Sequence, residues 1–262
     1  MPLVEVVRCI RIPGIYLESM NLEEVKQQFP ESVRDIEILE RLGFASRKTG
    51  WIDDLDLEKA IAACWLLGKI GSDRDADALI RVLSGQRRDL WMHAATSLSV
   101  IATQRHVSLL LSILETSSNS EQRESVVYAL SFLSDSSITP EVIGVLTEIA
   151  ANPLEATAVR AQALEGLGNH LSPELAPHLD QKALTVMLEA LDDAEAAIRF
   201  WACFAVGRCK IEAALPKLQR LAQTDKTLVE GWWSVGEEAE DAITFINGGE
   251  PPPREPRPSL VS

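Results

Sequence analysis

Apolar residues recur along this chain in pairs of helical segments, and the clearest pair lies between Glu189 and Gly207. One helical pattern ends at Leu191, two aspartates form a polar turn, and a second pattern runs from Ile198 to Val206. Apolar residues spaced three and four positions apart indicate amphipathic helices. The same arrangement recurs, in register, from about residue 55 to residue 240. The pattern therefore predicts an array of stacked helix pairs.

Alignment of the second helix of each pair gives three columns of residues. The first column is large and apolar: Leu67, Leu98, Leu130, Leu167, Val206 and Val235. The next residue is small: Gly68, Ser99, Ser131, Gly168, Gly207 and Gly236. The position four before the first column is also mostly small: Ala63, Ala94, Val126, Ala163, Ala202 and Gly231. A repeat period in the thirties indicates an α-solenoid, and the small columns would let neighbouring helices approach closely.

The first helices of the pairs are shorter amphipathic segments. They are Asp75–Leu83, His106–Leu114, Pro140–Ile149, Lys182–Leu191 and Ala213–Leu221. Pro140 suits the first turn of its helix, whereas Pro216 predicts a kink or a late helix start.

Three regions follow from these patterns. Residues 1–54 are predicted to form an N-terminal arm and capping helices, and residues 55–246 the repeat array. The Val/Ile-rich stretch Leu3–Ile12 reads as an extended arm that either packs on the first helices or offers an edge to another chain. Gly248 and Gly249 end the last helix near Ile246, so residues 247–262 are predicted to form a proline-rich disordered tail.

These features resemble the HEAT repeat family, in particular the short bacterial HEAT-like repeats also found in phycobilin lyases. Asp193 and the pair Ile198-Arg199 stand where the family has a turn aspartate and a Val-Arg pair, and Arg160 and Arg123 fall at the same place in two earlier repeats. The resemblance implies an all-α, right-handed solenoid of about five or six HEAT-like helix pairs. It also implies that the helices carrying Val-Arg line the concave face.

Two interpretations of Arg123, Arg160 and Arg199 remain open. Each arginine could pair with a turn acid of its own or a neighbouring repeat, such as Asp193, and form a structural ladder along the stack. Alternatively, the three could contact an anionic ligand. The equivalent positions of the outer repeats hold Ala60, Trp91 and Leu228, so any ladder should be interrupted at both ends.

Aromatic side chains concentrate at two outward positions of the same helices. Three residues before the small column lie Trp65, Thr96, Tyr128, Glu165, Phe204 and Trp233. One turn earlier lie Ala62, His93, Ser125, Gln162, Trp201 and Glu230. The rings either fill the seams between helix pairs or form a concave strip that anchors a partner. In the second interpretation the partner-binding residues are Trp65, His93, Tyr128, Trp201, Phe204 and Trp233.

Charge narrows the class of partner. The chain of 262 residues has a net charge of −14, which repels phosphate backbones and favours a basic partner. We therefore expect no nucleic-acid binding. A DNA-glycosylase activity would become plausible only if a basic groove were formed by Arg81, Arg87, Arg88 and Arg105. No apolar run is long enough to span a membrane, and no N-terminal signal pattern is present. Cys9, Cys64, Cys203 and Cys209 show no metal-ligand spacing, which favours free thiols and a cytoplasmic location.

Motifs for catalysis are not found. The four histidines, His93, His106, His170 and His178, do not stand at metal-ligand spacing, and no nucleophile or phosphate-binding motif occurs. The acidic run from Glu237 to Asp241 reads as the solvated face of a terminal helix. The sequence therefore predicts no catalytic residue, metal or cofactor, while leaving an enzymatic role undecided.

The favoured function is a non-enzymatic scaffold or adaptor that binds another protein on the concave face. Two alternatives stay open: a bilin-binding protein, as the resemblance to phycobilin lyases implies, and an immunity-type protein that neutralises a basic partner. The pattern does not specify an oligomeric state.

Overall fold

The computed structural model describes residues 57–70, 73–171 and 181–254. The predicted N-terminal arm and the last part of the tail lie outside these ranges. Within them the chain forms α1 (Leu57–Ile70), α2 (Asp73–Ser84), α3 (Arg88–Ile101), α4 (Gln104–Thr116), α5 (Ser120–Ser131), α6 (Pro140–Ala151), α7 (Thr157–His170), α8 (Gln181–Ala190), α9 (Ala196–Arg208), α10 (Leu215–Thr224) and α11 (Val235–Ile246). Single 3₁₀ turns at Asp135–Ser137 and Glu212–Ala214 precede α6 and α10.

The helices form two rows. Each odd-numbered helix packs against the next odd-numbered helix, from α1 to α11, and we call these helices the odd row. The even-numbered helices form a second layer, in which α2 packs on α3, α4 on α5, α6 on α7, α8 on α9, and α10 on α11. This architecture confirms the predicted all-α solenoid of helix pairs.

The small-residue column exists because the odd helices approach closely. A Cβ added at Gly168 of α7 would lie 2.9 Å from the Cα of Ala205 in α9. A Cβ added at Gly207 of α9 would lie 2.8 Å from the Cα of Ala242 in α11. Real Cβ atoms do not come so near a neighbouring backbone, so a larger residue would force the helices apart.

The large apolar column fills the space between the rows. Leu98, Leu130, Leu167 and Val206 are fully buried, and Leu67 is nearly so. Burial of each such side chain contributes about 1.5–3 kcal/mol relative to exposure. The column predicted from the sequence is therefore part of one continuous core of the array.

Local capping signals set several helix starts. The Thr139 side chain accepts a hydrogen bond from the Val142 N–H, and Pro140 occupies the first turn of α6, as predicted. Pro216 likewise lies in the first turn of α10, which begins at Leu215 after a 3₁₀ turn. The late start predicted for this helix is thus confirmed.

The last repeat differs from the prediction. The sequence alignment placed Val235 and Gly236 at the end of a helix, whereas α11 begins at Val235. Residues 225–234 instead form an irregular turn with one antiparallel bridge between Leu228 and Ser234, and Gly231 has a φ of 76°. Ser234 and Glu237 form a capping box that starts α11. The left-handed glycine and the cap therefore override the apolar spacing, and Trp233 precedes a helix rather than lying inside one.

The three cysteines in the described part of the chain are buried free thiols. They are Cys64, Cys203 and Cys209. Burial raises the pKa of the Cys64 thiol and that of the Cys209 thiol to about 12. Across the helices described, none has the length and apolar character needed to cross a membrane.

We predict opposite effects for two glycine-to-alanine substitutions. Gly207→Ala should lower the free energy of unfolding by about 1–3 kcal/mol, because the added methyl overlaps α11. Gly144 lies in α6 with no heavy atom within 4 Å of an added Cβ, so Gly144→Ala should raise stability by about 0.5–1 kcal/mol. Urea denaturation of both variants measures the difference. Equal stabilities would show that close approach does not constrain the odd row.

Candidate partner-binding site

Five aromatic rings meet at the C-terminal end of the odd row. They are Phe200, Trp201 and Phe204 of α9 with Trp232 and Trp233 of the turn before α11, and we call them the aromatic cluster. The centroids of Trp201 and Trp232 are 5.2 Å apart, and those of Trp201 and Phe204 are 5.4 Å apart, both with edge-to-face geometry. Phe200 is buried beneath the others, which are half-buried. The cluster thus combines a packed base with rings open to solvent.

A smaller aromatic pair lies at the C-terminal end of α5, where Phe132 is the C-cap residue. The rings of Tyr128 and Phe132 are 4.8 Å apart, and Phe132 is 37% exposed. Between α5 and α9 lies α7, whose half-buried Gln162 donates a hydrogen bond to Glu165 at 2.7 Å.

Aromatic and polar side chains therefore alternate on one face. Tyr128, Glu165 and Phe204 each stand three positions before the small column, and their helices pack in the order α5, α7, α9. Equivalent positions on neighbouring repeats share a face of the solenoid. We call this surface the α5–α7–α9 face.

Two predicted site residues lie further along the odd row. Trp65 is a half-buried residue of α1, and His93 is a half-buried residue of α3. Burial lowers the pKa of His93, and the nearby Asp89 carboxylate opposes that shift. The structure thus brings Trp201, Phe204 and Trp233 together and holds Trp65, His93 and Tyr128 on three other helices.

Sequence reasoning missed three aromatic residues of this region. Phe132 follows Ser131 of the small column, Phe200 precedes Trp201, and Trp232 lies between the two outward positions of its repeat, Glu230 and Trp233. The signal that could have found Trp232 is the Gly231 turn, since a turn lets two consecutive rings join one cluster.

Below the aromatic cluster lies a buried carboxyl group. The Trp233 indole N–H donates to Glu238 Oε2 at 2.8 Å, and Glu238 is 5% exposed. Burial raises the pKa of Glu238 to about 7. Asp241 is also buried. The expectation of a solvated acidic face is therefore wrong for these two residues, because α11 packs against both α9 and α10 and has little free surface.

The three predicted ladder arginines each contact an acid of the following turn. Arg123 pairs with Glu155, Arg160 with Asp193 at 2.6 Å, and Arg199 with Asp225 at 2.8 Å. These side chains are 10% to 18% exposed. Such part-buried, charge-assisted pairs are stronger than surface pairs.

Each guanidinium also binds backbone carbonyls of its own repeat. Arg160 donates to the Ala150 carbonyl at 3.2 Å, and Arg199 donates to the Asp193 carbonyl at 2.8 Å. Each arginine therefore links the turn before its own helix to the acid of the next turn. Burial alone would raise the pKa of Asp193, but hydrogen bonds from the Glu195 N–H and from Arg160 lower it.

Three of the four arginines that would form a basic groove contact neighbouring side chains. Arg87 pairs with Asp89 at 2.8 Å, and Arg105 pairs with Asp77. The Arg88 guanidinium lies 5.9 Å from the centre of the Trp91 ring. In the described ranges, no group of three or more His, Cys, Asp or Glu residues has the arrangement of a metal site.

Comparisons with known proteins support the fold. No protein-family model and no curated protein sequence matches the chain. The alignment with an engineered protein of known structure covers 77% of this chain and 96% of that protein, with 19% sequence identity and a TM-score of 0.50. A designed armadillo repeat protein in complex with the peptide (KR)4 aligns with 76% of this chain and 98% of its own, with 17% identity and a TM-score of 0.49. The similarity to the engineered protein, with the two rows of packed helices, supports a helical-repeat solenoid fold.

We predict that the ladder stabilises the stack. Arg160→Ala leaves the half-buried Asp193 without its cation and should lower the free energy of unfolding by about 2–3 kcal/mol. The matched control is Lys182→Ala, because Lys182 and its partner Glu148 are 56% and 69% exposed. That exposed pair should contribute less than about 1 kcal/mol. Thermal or urea denaturation distinguishes the two, and equal losses would argue against a ladder.

We also predict a pH dependence centred on Glu238. Its pKa in the folded state is about 7, above the ordinary value of 4.5, so the folded state binds the extra proton and loses stability as pH rises between these values. Glu238→Gln keeps an acceptor for Trp233 without the charge. As pH rises from 5 to 8, the free energy of unfolding of Glu238→Gln should increase relative to that of the parent chain by about 1–3 kcal/mol.

The control for this pH effect is Glu212→Gln, at an exposed residue. The stability difference should change more between pH 5 and pH 8 for Glu238→Gln than for Glu212→Gln, because Glu238 is buried and Glu212 is exposed. Equal changes in the two variants would contradict the raised pKa of Glu238.

Proposed function

We propose that this protein is a non-enzymatic scaffold whose α5–α7–α9 face binds a basic segment of another protein. The observation that carries the proposal is the order of side chains across that face. Tyr128 and Phe132 lie on one side, Gln162 and Glu165 lie in the middle, and Trp201 and Phe204 lie on the other.

Half-buried aromatic rings suit the role of anchors. Tryptophan and tyrosine offer large contact areas with little loss of side-chain entropy, and such residues dominate the energy of many interfaces. In the aromatic cluster, the buried Phe200 packs against Trp201 and Trp232, and Trp201 packs against Phe204. The open rings are thus held in place before a partner arrives, which lowers the cost of binding.

Charge favours a basic segment. The net charge of −14 would steer a cationic partner to the surface. On α5, burial and the neighbouring Glu121 carboxylate raise the pKa of Glu124. A bound lysine or arginine would relieve that unfavourable environment, because an opposite charge stabilises the ionised carboxylate.

The proposed contact residues extend the face along the odd row. They are Trp65, His93, Tyr128, Trp201, Phe204 and Trp233, with Phe132 and Trp232 added. Trp233 would act mainly as a support, since its indole N–H is already bonded to Glu238. A bilin-binding role has less support, because polar side chains of α7 separate the two aromatic groups.

We further propose that the repeats are of the HEAT type. Support comes from the arginines of α5, α7 and α9, each of which contacts a turn acid in the manner that the family resemblance implies. The proposed division is an N-terminal arm and cap over residues 1–54, the array over 55–246 and a proline-rich tail over 247–262. Buried free thiols at Cys64, Cys203 and Cys209 fit a reducing, cytoplasmic compartment.

Selection from a library of random 12-residue peptides tests the function. The protein should enrich peptides that carry lysine or arginine next to apolar residues, and binding should weaken as salt increases. The double variant Trp201→Ala, Phe204→Ala should bind the enriched peptides at least 30-fold more weakly, as expected when anchor rings worth more than about 2 kcal/mol are removed.

The matched control is Leu109→Ala, which removes a 44% exposed apolar side chain from α4, in the even layer. It should leave affinity unchanged. Enrichment of acidic peptides, or equal loss of affinity in the control, would contradict the proposal.

A further inference from the structure

The segment after α11 returns to that helix and contacts it through Arg254. Arg254 Nε donates to Asp241 Oδ2 at 2.6 Å, and Nη2 donates to Asp241 Oδ1 at 2.8 Å. Nη2 also donates to the Glu237 backbone carbonyl at 3.0 Å and to Glu240 Oε2 at 3.3 Å. Residues 247–254 thus dock on α11 instead of leaving the array.

This contact has the features of a specific site. Asp241 receives two parallel hydrogen bonds, the geometry in which a planar guanidinium matches a carboxylate and an ammonium group does not. The side chain of Asp241 is 8% exposed and that of Arg254 is 16% exposed, so both ions are largely removed from water. The hydrogen bond from Arg254 to Asp241 raises the pKa of the arginine further.

The site strongly favours a cation. Glu237, Glu238, Glu240 and Asp241 lie close together in the first half of α11, and the Arg254 guanidinium contacts three of them, Glu237, Glu240 and Asp241. Without Arg254, the buried Asp241 would have no contacting cation in the part of the chain that the structure describes, and leaving a buried carboxylate unpaired lowers stability. Glu238 in turn accepts the Trp233 N–H, so the site borders the aromatic cluster.

The sequence of this segment favours binding in an extended conformation. Pro251, Pro252 and Pro253 come directly before Arg254, and prolines favour a polyproline II conformation that loses little entropy on binding. Such a segment presents the arginine at a fixed distance from a stiff backbone. The docked residues therefore resemble a short peptide ligand that is tethered to its own receptor.

We propose that α11 carries a recognition site for an arginine that follows prolines. The resident ligand is the chain's own Pro253-Arg254, held in cis, and the same segment supplied in trans can replace it. The tether gives the resident ligand a millimolar effective concentration, so the intact chain resists exchange. This proposal does not depend on the function of the α5–α7–α9 face.

Fluorescence anisotropy with a labelled peptide of residues 249–258 tests the site. Full-length Arg254→Ala has an empty site and should bind this peptide at least 10-fold more tightly than the parent chain. The same peptide with its first arginine replaced by alanine should not bind Arg254→Ala. Arg74→Ala, a change of equal charge at an exposed residue of α2, should behave as the parent chain does.

A second substitution separates recognition from general attraction between charges. Arg254→Ala combined with Asp241→Asn should lose the peptide, although three acidic residues of the site remain. Binding that persists in this double variant, or no binding to Arg254→Ala at millimolar peptide, would overturn the proposal.

Circular dichroism checks that each variant stays helical. If Arg254→Ala does not fold, Arg254→Lys provides the test, since lysine keeps the charge but lacks the planar fork. Its affinity for the peptide should exceed that of the parent chain, and equal affinities would again overturn the proposal.

Discussion

The close approach of successive odd helices is the constraint on which the rest of the structure depends. Gly168 meets the backbone of α9, and Gly207 meets that of α11, at distances that leave no room for a Cβ. Helices held this near to one another keep the large apolar column continuous between the rows. They also bring each ladder arginine within reach of the next turn acid. Packing, core and ion pairs thus share one geometric cause.

The same spacing organises the surface. Because the odd helices follow each other in register, side chains at equivalent positions form rows across the repeats, and the α5–α7–α9 face alternates aromatic and polar groups. At the end of the array, α11 has no following odd helix among the described residues, and the turn before it and the segment after it both pack there. The Trp233–Glu238 and Arg254–Asp241 hydrogen bonds are consequently neighbours on α11, each with a buried carboxylate as the acceptor.

Much of this fold could be predicted from the sequence because its determinants are local and periodic. Leucine spacing and the small column recur at each repeat, so errors in one repeat do not displace the others. The last repeat was misread because the apolar spacing continues through Gly231 and Ser234, while a left-handed turn and a capping box set the actual boundary. The burial of Glu238 and the docking of Arg254 were not predictable, since both depend on packing between segments rather than on any periodic pattern.

The central claim is that the open aromatic rings of the odd row form the binding surface. Fluorine NMR of the chain labelled with fluorotryptophan, titrated with a basic peptide enriched from the library, tests it most directly. The account predicts that the resonances of Trp201 and Trp232 shift, while that of Trp91, which is 5% exposed on α3, does not. Binding that leaves Trp201 and Trp232 unchanged would contradict it.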